Sequence, residues 1–202
     1  MLSPGEQPRT QSLGPLRLLV LLLFAAILAV YLRSQSDNLL EYRLYFTEDR
    51  KPARLSLLEL NESWTEASLR QRFAGYPVVC EPYQGDLPVQ RACAVDVSSL
   101  NDVSALFVSF FFAEGSLRHV SVNVPWWAHK AALRSLVTSF GPPTASQLLP
   151  HSGVRLHAWS LVNGSAVFLN RDLPLNPLSW NGIHWRSASS CLNQNCFKKN
   201  EP

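Results

Sequence analysis

The chain has 202 residues, 47% of them hydrophobic and 16% charged, and a net charge of +3 from 18 Lys and Arg against 15 Asp and Glu. Once its tails and hydrophobic N-terminus are set aside, about 150 residues remain, enough for a single core that needs no metal or cofactor. The basic residues are scattered and form no stripe, which argues against nucleic acid as the main partner.

Leu18 to Leu32 is an uninterrupted apolar run between Arg17 and Arg33. It falls short of the roughly 20 residues that cross a bilayer core. Snorkelling arginines, an interfacial Tyr31 and the apolar Leu13–Leu16 side make up the length. The expected order is a cytoplasmic tail over 1–15, a signal-anchor helix over 16–33 and a polar linker over 34–40. A cleaved signal peptide competes with this, although Ala29 to Leu32 offers no small-x-small cleavage site and no Cys follows for lipidation. A buried soluble helix is the third reading.

Arg9 and Arg17 precede the run while Arg33, Arg43, Arg50 and Lys51 follow it, so charge leaves the orientation nearly neutral. The cysteines decide it. Cys80 with Cys93 and Cys191 with Cys196 form two local pairs with no zinc-type spacing, and they read as two disulfides in an oxidising compartment. Four reduced, buried thiols are the alternative. The expected location is the inner (cytoplasmic) membrane, single-pass, with the C-terminal domain in the periplasm of a Gram-negative source, or otherwise in a lumen or outside the cell. Asn61-Glu62-Ser63 and Asn163-Gly164-Ser165 match glycosylation acceptors, a pattern frequent by chance.

Residues 41–190 are expected to form an α+β domain: an antiparallel sheet with two helices on one face. "YRLYF" alternates Tyr42, Leu44 and Phe46 as a strand would, and Leu55 to Leu60 suggests a second strand. Ser63 and Glu66 make a capping box for a helix that Gly75 and Pro77 end. Strands are expected at Ala92–Val97, Val103–Phe112 and Leu117–Val124, the middle one apolar enough to be buried on both faces.

A second helix opens with Pro125 in its first turn and stops at Gly141-Pro142-Pro143. Its apolar stripe takes in Trp126, Leu133, Leu136, Val137 and Phe140, with His129 inside it. Trp126 therefore reads as core. Trp127 falls outside the stripe, and either packs on the loop "LLPHSG" or presents a contact for a partner or membrane surface. Asn163-Gly164 marks a two-residue hairpin loop that pairs Trp159 with Phe168. Ile183, Trp185 and Ser187 alternate in a last strand, ahead of a disulfide loop and tail over 191–202. Trp180, Trp185 and Phe197 surround that loop, either as a cover over an open sheet face or as the rim of a groove. The order is thus helix and three strands, twice.

Both helices end on similar text, "FAGYP" and "FGPP", each followed by a meander that finishes near tryptophans. From Asn61 to Ala188 the pattern resembles the SmpA/OmlA (BamE-like) outer-membrane assembly proteins, and in tandem the beta-lactamase inhibitor proteins. The resemblance implies an envelope binding module without a catalytic centre. The assembly proteins are lipoproteins, whereas this chain carries a hydrophobic anchor and no lipidation Cys.

No GxSxG, P-loop, GxGxxG or HExxH motif occurs. His119, His129, His151, His157 and His184 are each expected in structural or solvated roles, and Asp96, Asp102, Glu114 and Asp172 near turns or strand ends. The expected function is a non-catalytic binding or scaffolding subunit of an envelope assembly, secretion or maintenance complex. It would have a protein partner, with Trp127, Trp180 and Trp185 as candidate contacts, and no catalytic residue, metal or cofactor. The other class considered is a membrane-tethered hydrolase using His157, His184 or Asp172.

Overall fold

The computed structural model describes residues 14–148, 154–194 and 196, and divides the chain into two compact units, 1–40 and 41–202. The first unit is built on helix α1 (Gly14–Ser34), in which the stretch Arg17–Ser34 has a mean hydropathy of 2.0 and no buried residue. By length and composition this helix can cross a membrane. Helix α2 (Ser36–Thr47) follows, and its residues from Glu41 onward belong to the second unit.

The second unit continues with β1 (Pro52–Ala53), α3 (Glu66–Arg72), β2 (Val78–Pro82), β3 (Arg91–Asp96), β4 (Ser99–Leu100), β5 (Val103–Ser104), β6 (Phe107–Ala113) and β7 (Ser116–Val124). A 3-10 turn at Trp126–Ala128 leads into α4 (His129–Phe140). Then come β8 (Ala145–Leu148), β9 (Arg155–Ser160), β10 (Ala166–Asn170), β11 (Asn181–Arg186) and α5 (Ala188–Gln194). The main sheet is an antiparallel eight-stranded one in the order β2-β3-β6-β7-β11-β10-β9-β8. It is a mirrored sequence of two meanders. The repeat is therefore a helix and four strands, one strand more than expected, and the two copies join where β7 pairs β11 through Val122 and Ile183. The extra strands β2 and β8 are the sheet's outer edges.

One face of this sheet carries the main core. Alternate residues such as Val95, Val108, Phe110, Val120, Val122, Val167 and Trp185 pack there against Leu69 of α3, Phe73 at its C-cap, and Ala132 and Leu136 from α4. The two helices thus share one face, as the alternation of the strands requires. On the opposite face, Leu156, Ala158, Ala166 and Phe168 pack against Cys191 and Cys196 at α5.

Several local expectations are corrected. "YRLYF" lies in α2, because the helical spacing of Tyr42, Tyr45 and Phe46 puts all three rings against Trp127, 5.5, 6.4 and 5.8 Å away. Arg50 fastens the same turn, pairing with Glu41 at 2.8 Å and donating to the Leu106 carbonyl. The linker over 34–40 is largely helix. Residues 55–60 are not a strand; the Asn101 side chain accepts from the Leu55 N–H and donates to its carbonyl, standing in for a neighbouring strand. Asn101 and Asp102 both have positive φ, 50° and 65°, in the two-residue turn between β4 and β5. That hairpin interrupts the expected Val103–Phe112 strand.

The capping box is Thr65 with Ser68, two residues later than expected. Glu66 is thereby free to pair with Arg70 and Arg91 at 2.9 and 2.7 Å. Those guanidiniums, Arg91 first, hold its carboxyl at about 2. The Asn163-Gly164 hairpin has a three-residue loop closed between Leu161 and Ser165, with Gly164 at φ 80°. This moves the register by one, so Trp159 pairs Val167 and Phe168 turns to the other face. Finally, Trp126 is not core. The 3-10 turn ahead of α4 rotates it out of the helical stripe, which runs through Ala128, His129, Ala132 and Leu136.

Candidate functional site

The face of the sheet away from α3 and α4 is built unevenly. Over β9 and β10 it is closed by α5 and the Cys191–Cys196 disulfide. Over β3 and β6 it stays partly open at Ala92, Ala94, Phe107, Ser109 and Phe111. Register aligns Phe111 with His119, Ser109 with Ser121 and Phe107 with Asn123 across β6 and β7. The same rows continue onto β11 as Arg186, His184 and Gly182. The central row, Ser109, Ser121 and His184, is therefore flanked by Phe111 and His119 on one side and by Phe107 on the other.

On one side, Tyr83 meets Phe111 edge-on at 5.3 Å, and Phe111 meets His119 at 5.2 Å. On the other, Trp180 meets Phe107 edge-on at 5.8 Å. Next to the first row lies a cleft of about 320 Å³ lined by Val89, Arg118, His119, Arg186, Ser189 and Ser190. Arg118 pairs with Glu62 at 3.0 Å and donates to Ser189, while Glu62 accepts from the Ser189 N–H; this ties the start of α5 to β7.

Two histidines that are far apart in sequence meet here. His184 Nδ1 and His119 Nε2 are 3.4 Å apart, one ring donating to the other. A Cβ at position 182 would collide with the His184 ring, so Gly182 leaves the room that the ring occupies. Burial pushes the His184 imidazole down to about 4, helped by the Arg186 charge; burial, then His184 and Arg186, lowers His119 as well. The unfolded chain binds protons near pH 6.5 that the folded pair refuses, so stability should fall as pH drops from about 6.5 toward 4. His184→Gln is expected to remove about 2 kcal/mol of that decline. The check is the thermal midpoint against pH for both proteins; parallel curves would show that the pair stays out of the titration.

The other expected residues are placed as follows. His129 is buried at the start of α4; burial lowers its pKa, against a hydrogen bond to the Arg171 carbonyl and the Asp172 charge. His157 feels burial first, then Arg171, His129 and Asp172. Thus His129, His157 and Asp172 gather on the helix side, apart from the His119–His184 pair. His151 and Phe197 lie outside the described residues. Cys80 and Cys93 are directly opposed on β2 and β3 and disulfide-bonded. Glu66 lies within 4.8 Å of both sulfurs, but a disulfide offers a metal no thiolate.

The three candidate tryptophans separate. Trp185 is 1% exposed and donates to Ser165 Oγ, so it is a core residue and cannot be a docking side chain. It also points away from the Cys191–Cys196 loop that it was expected to surround. Trp180 sits between Phe107 and Tyr42. Trp127 stacks on Phe46 of α2, while most of the "LLPHSG" loop lies outside the described residues. Ser109, Phe107 and Phe111 were hidden in sequence inside an apolar run; the lone Ser in "FVSFFF" is the signal that one face of that strand is open. No protein-family model, curated protein or solved structure matches this chain.

Proposed function

We propose that the chain is a single-pass, N-anchored extracytoplasmic protein. Its α+β domain is a non-catalytic binding or scaffolding subunit of an envelope assembly, secretion or maintenance complex. Anchoring is supported by the length and apolarity of α1, and the oxidising side of a membrane by the two disulfides. The tandem repeat of helix and meander is in keeping with the resemblance to envelope binding modules.

The observation that carries the binding reading is the asymmetry of the second sheet face. Half of it is sealed by α5, and the other half leaves Phe107, Ser109 and Phe111 partly open on a rigid antiparallel scaffold. Aromatic rings on either side of small hydroxyl groups are the composition of a protein-binding patch: rings supply area, and hydroxyls orient the partner. A photo-crosslinking residue at Ala94 should give a discrete adduct from intact membranes. Ser109→Arg puts a long charged side chain across the patch and should lower the adduct at least tenfold, with the thermal midpoint within about 2 °C of the parent. An undiminished adduct would remove this face from consideration.

A further inference from the structure

A second surface of the domain is apolar, exposed and continuous. Phe46 of α2 is 69% exposed and stacks on Trp127, itself 49% exposed. Trp126, 37% exposed, follows directly, and its indole N–H donates to the Pro174 carbonyl at 3.0 Å. That bond ties in the loop carrying Leu173 and Leu175, of which Leu175 is wholly exposed. Arg43 and Lys130 are exposed one turn from Phe46 and Trp127 respectively. The patch is thus two indoles and a phenyl ring backed by Tyr42 and Tyr45, with a protruding leucine loop and two cations.

Its position along the chain names the occupant. Only residues 35–40 separate Ser34, at the end of the apolar helix, from Glu41, where the domain begins. Even fully extended, that tether reaches about 25 Å. Rings with a polar edge, an apolar loop tip and nearby Arg and Lys are the side chains that partition to the headgroup–acyl boundary of a bilayer. An exposed patch of this kind on a monomer marks an interaction site. We propose that this surface binds the phospholipid interface of the same bilayer that holds α1, with Trp126, Trp127, Phe46 and Leu175 entering the boundary region. The inference rests on α1 being a membrane anchor. It assigns Trp127 to lipid and leaves the sheet face to the protein partner.

The test uses the full chain in phosphatidylethanolamine/phosphatidylglycerol vesicles whose acyl chains are brominated near the headgroup. Bromine quenches nearby indoles, and the chain has six tryptophans. Shallow bromines should quench the wild type, and Trp126→Phe with Trp127→Phe should remove at least half of that quenching. Leu175→Asp, at a position that makes no demand on folding, should reduce it about twofold. Flotation of the same vesicles at alkaline pH reads the anchor separately. A chain that floats with unquenched indoles overturns the lipid-binding surface and leaves the anchor intact. A chain that does not float overturns the anchor, and the inference with it.

Discussion

Replacing Cys80 and Cys93 together by Ser is expected to lower the unfolding free energy by about 3 kcal/mol, from loss of the entropy constraint on a loop of this size. The bond closes a separation of 13 residues and joins directly opposed positions of β2 and β3. Because β2 is the outermost strand of its meander, it has a sheet neighbour on one side alone. Without the bond, the strand is held by that one ladder. The separation at Cys191–Cys196 is 5, so its removal should cost less, about 2 kcal/mol. Together they amount to about 5 kcal/mol, the low end of the 5 to 15 kcal/mol by which small domains are stable. A domain kept reduced in a cytosol would be marginal, which links the bonds to an oxidising compartment. Thermal midpoints of the two double-Ser variants against the parent give the ranking; a loss below about 1 kcal/mol for the Cys80–Cys93 pair would contradict it.

Trp185→Ala should be far more damaging than Trp127→Ala, costing about 4 kcal/mol or more. Its ring is almost fully buried and pairs with Val120 across the junction of the repeats and with Val167 within the second repeat. Truncation leaves a large cavity at the ladder of the main sheet that connects the two meanders, and takes the indole donor from Ser165 Oγ, which keeps only the bond it donates to Asn163. Trp127→Ala removes a half-exposed ring whose neighbours keep other ring contacts, Tyr45 edge-on to Phe46 and Tyr42 edge-on to Trp180, so a cost of about 1 kcal/mol is expected. Its effect should appear instead in lipid contact. Unfolding curves of the two variants side by side make the comparison; equal losses would mean that Trp127 is also structural.

These contrasts show how far residue chemistry reaches. Trp126, Trp127 and Trp185 are the same residue type in apolar neighbourhoods, yet one ends in the core and two at the surface. The 3-10 turn before α4 rotates the first two by an amount that an ideal helical wheel does not contain. "YRLYF" is too short for its period to be diagnostic, since five residues fit both a strand and a helix. What selects the helix is a set of contacts with distant segments: Trp127 and Trp180 on Tyr42, and the Ser98 carbonyl that accepts from Tyr45. Likewise, the shift of one residue at the Asn163 hairpin puts Trp159 and Phe168, expected as a cross-strand pair, on opposite faces of the sheet.

Features whose cause lies within a turn or two of chain could be read from residue order alone. These are an apolar helix of membrane-crossing length, an amphipathic helix ended at Gly141, a hairpin at Asn163-Gly164, two local cysteine pairs and a repeated order of helix and strands. The fourth strand of each repeat, the joining of the meanders through β7 and β11, the meeting of His119 with His184 and the half-open sheet face emerged with the folded domain. The difference is one of range. Local periodicity and turn chemistry are set by neighbouring residues, whereas a strand's partner, its register and the face that stays open are set by contacts between distant segments competing to bury the same apolar surface.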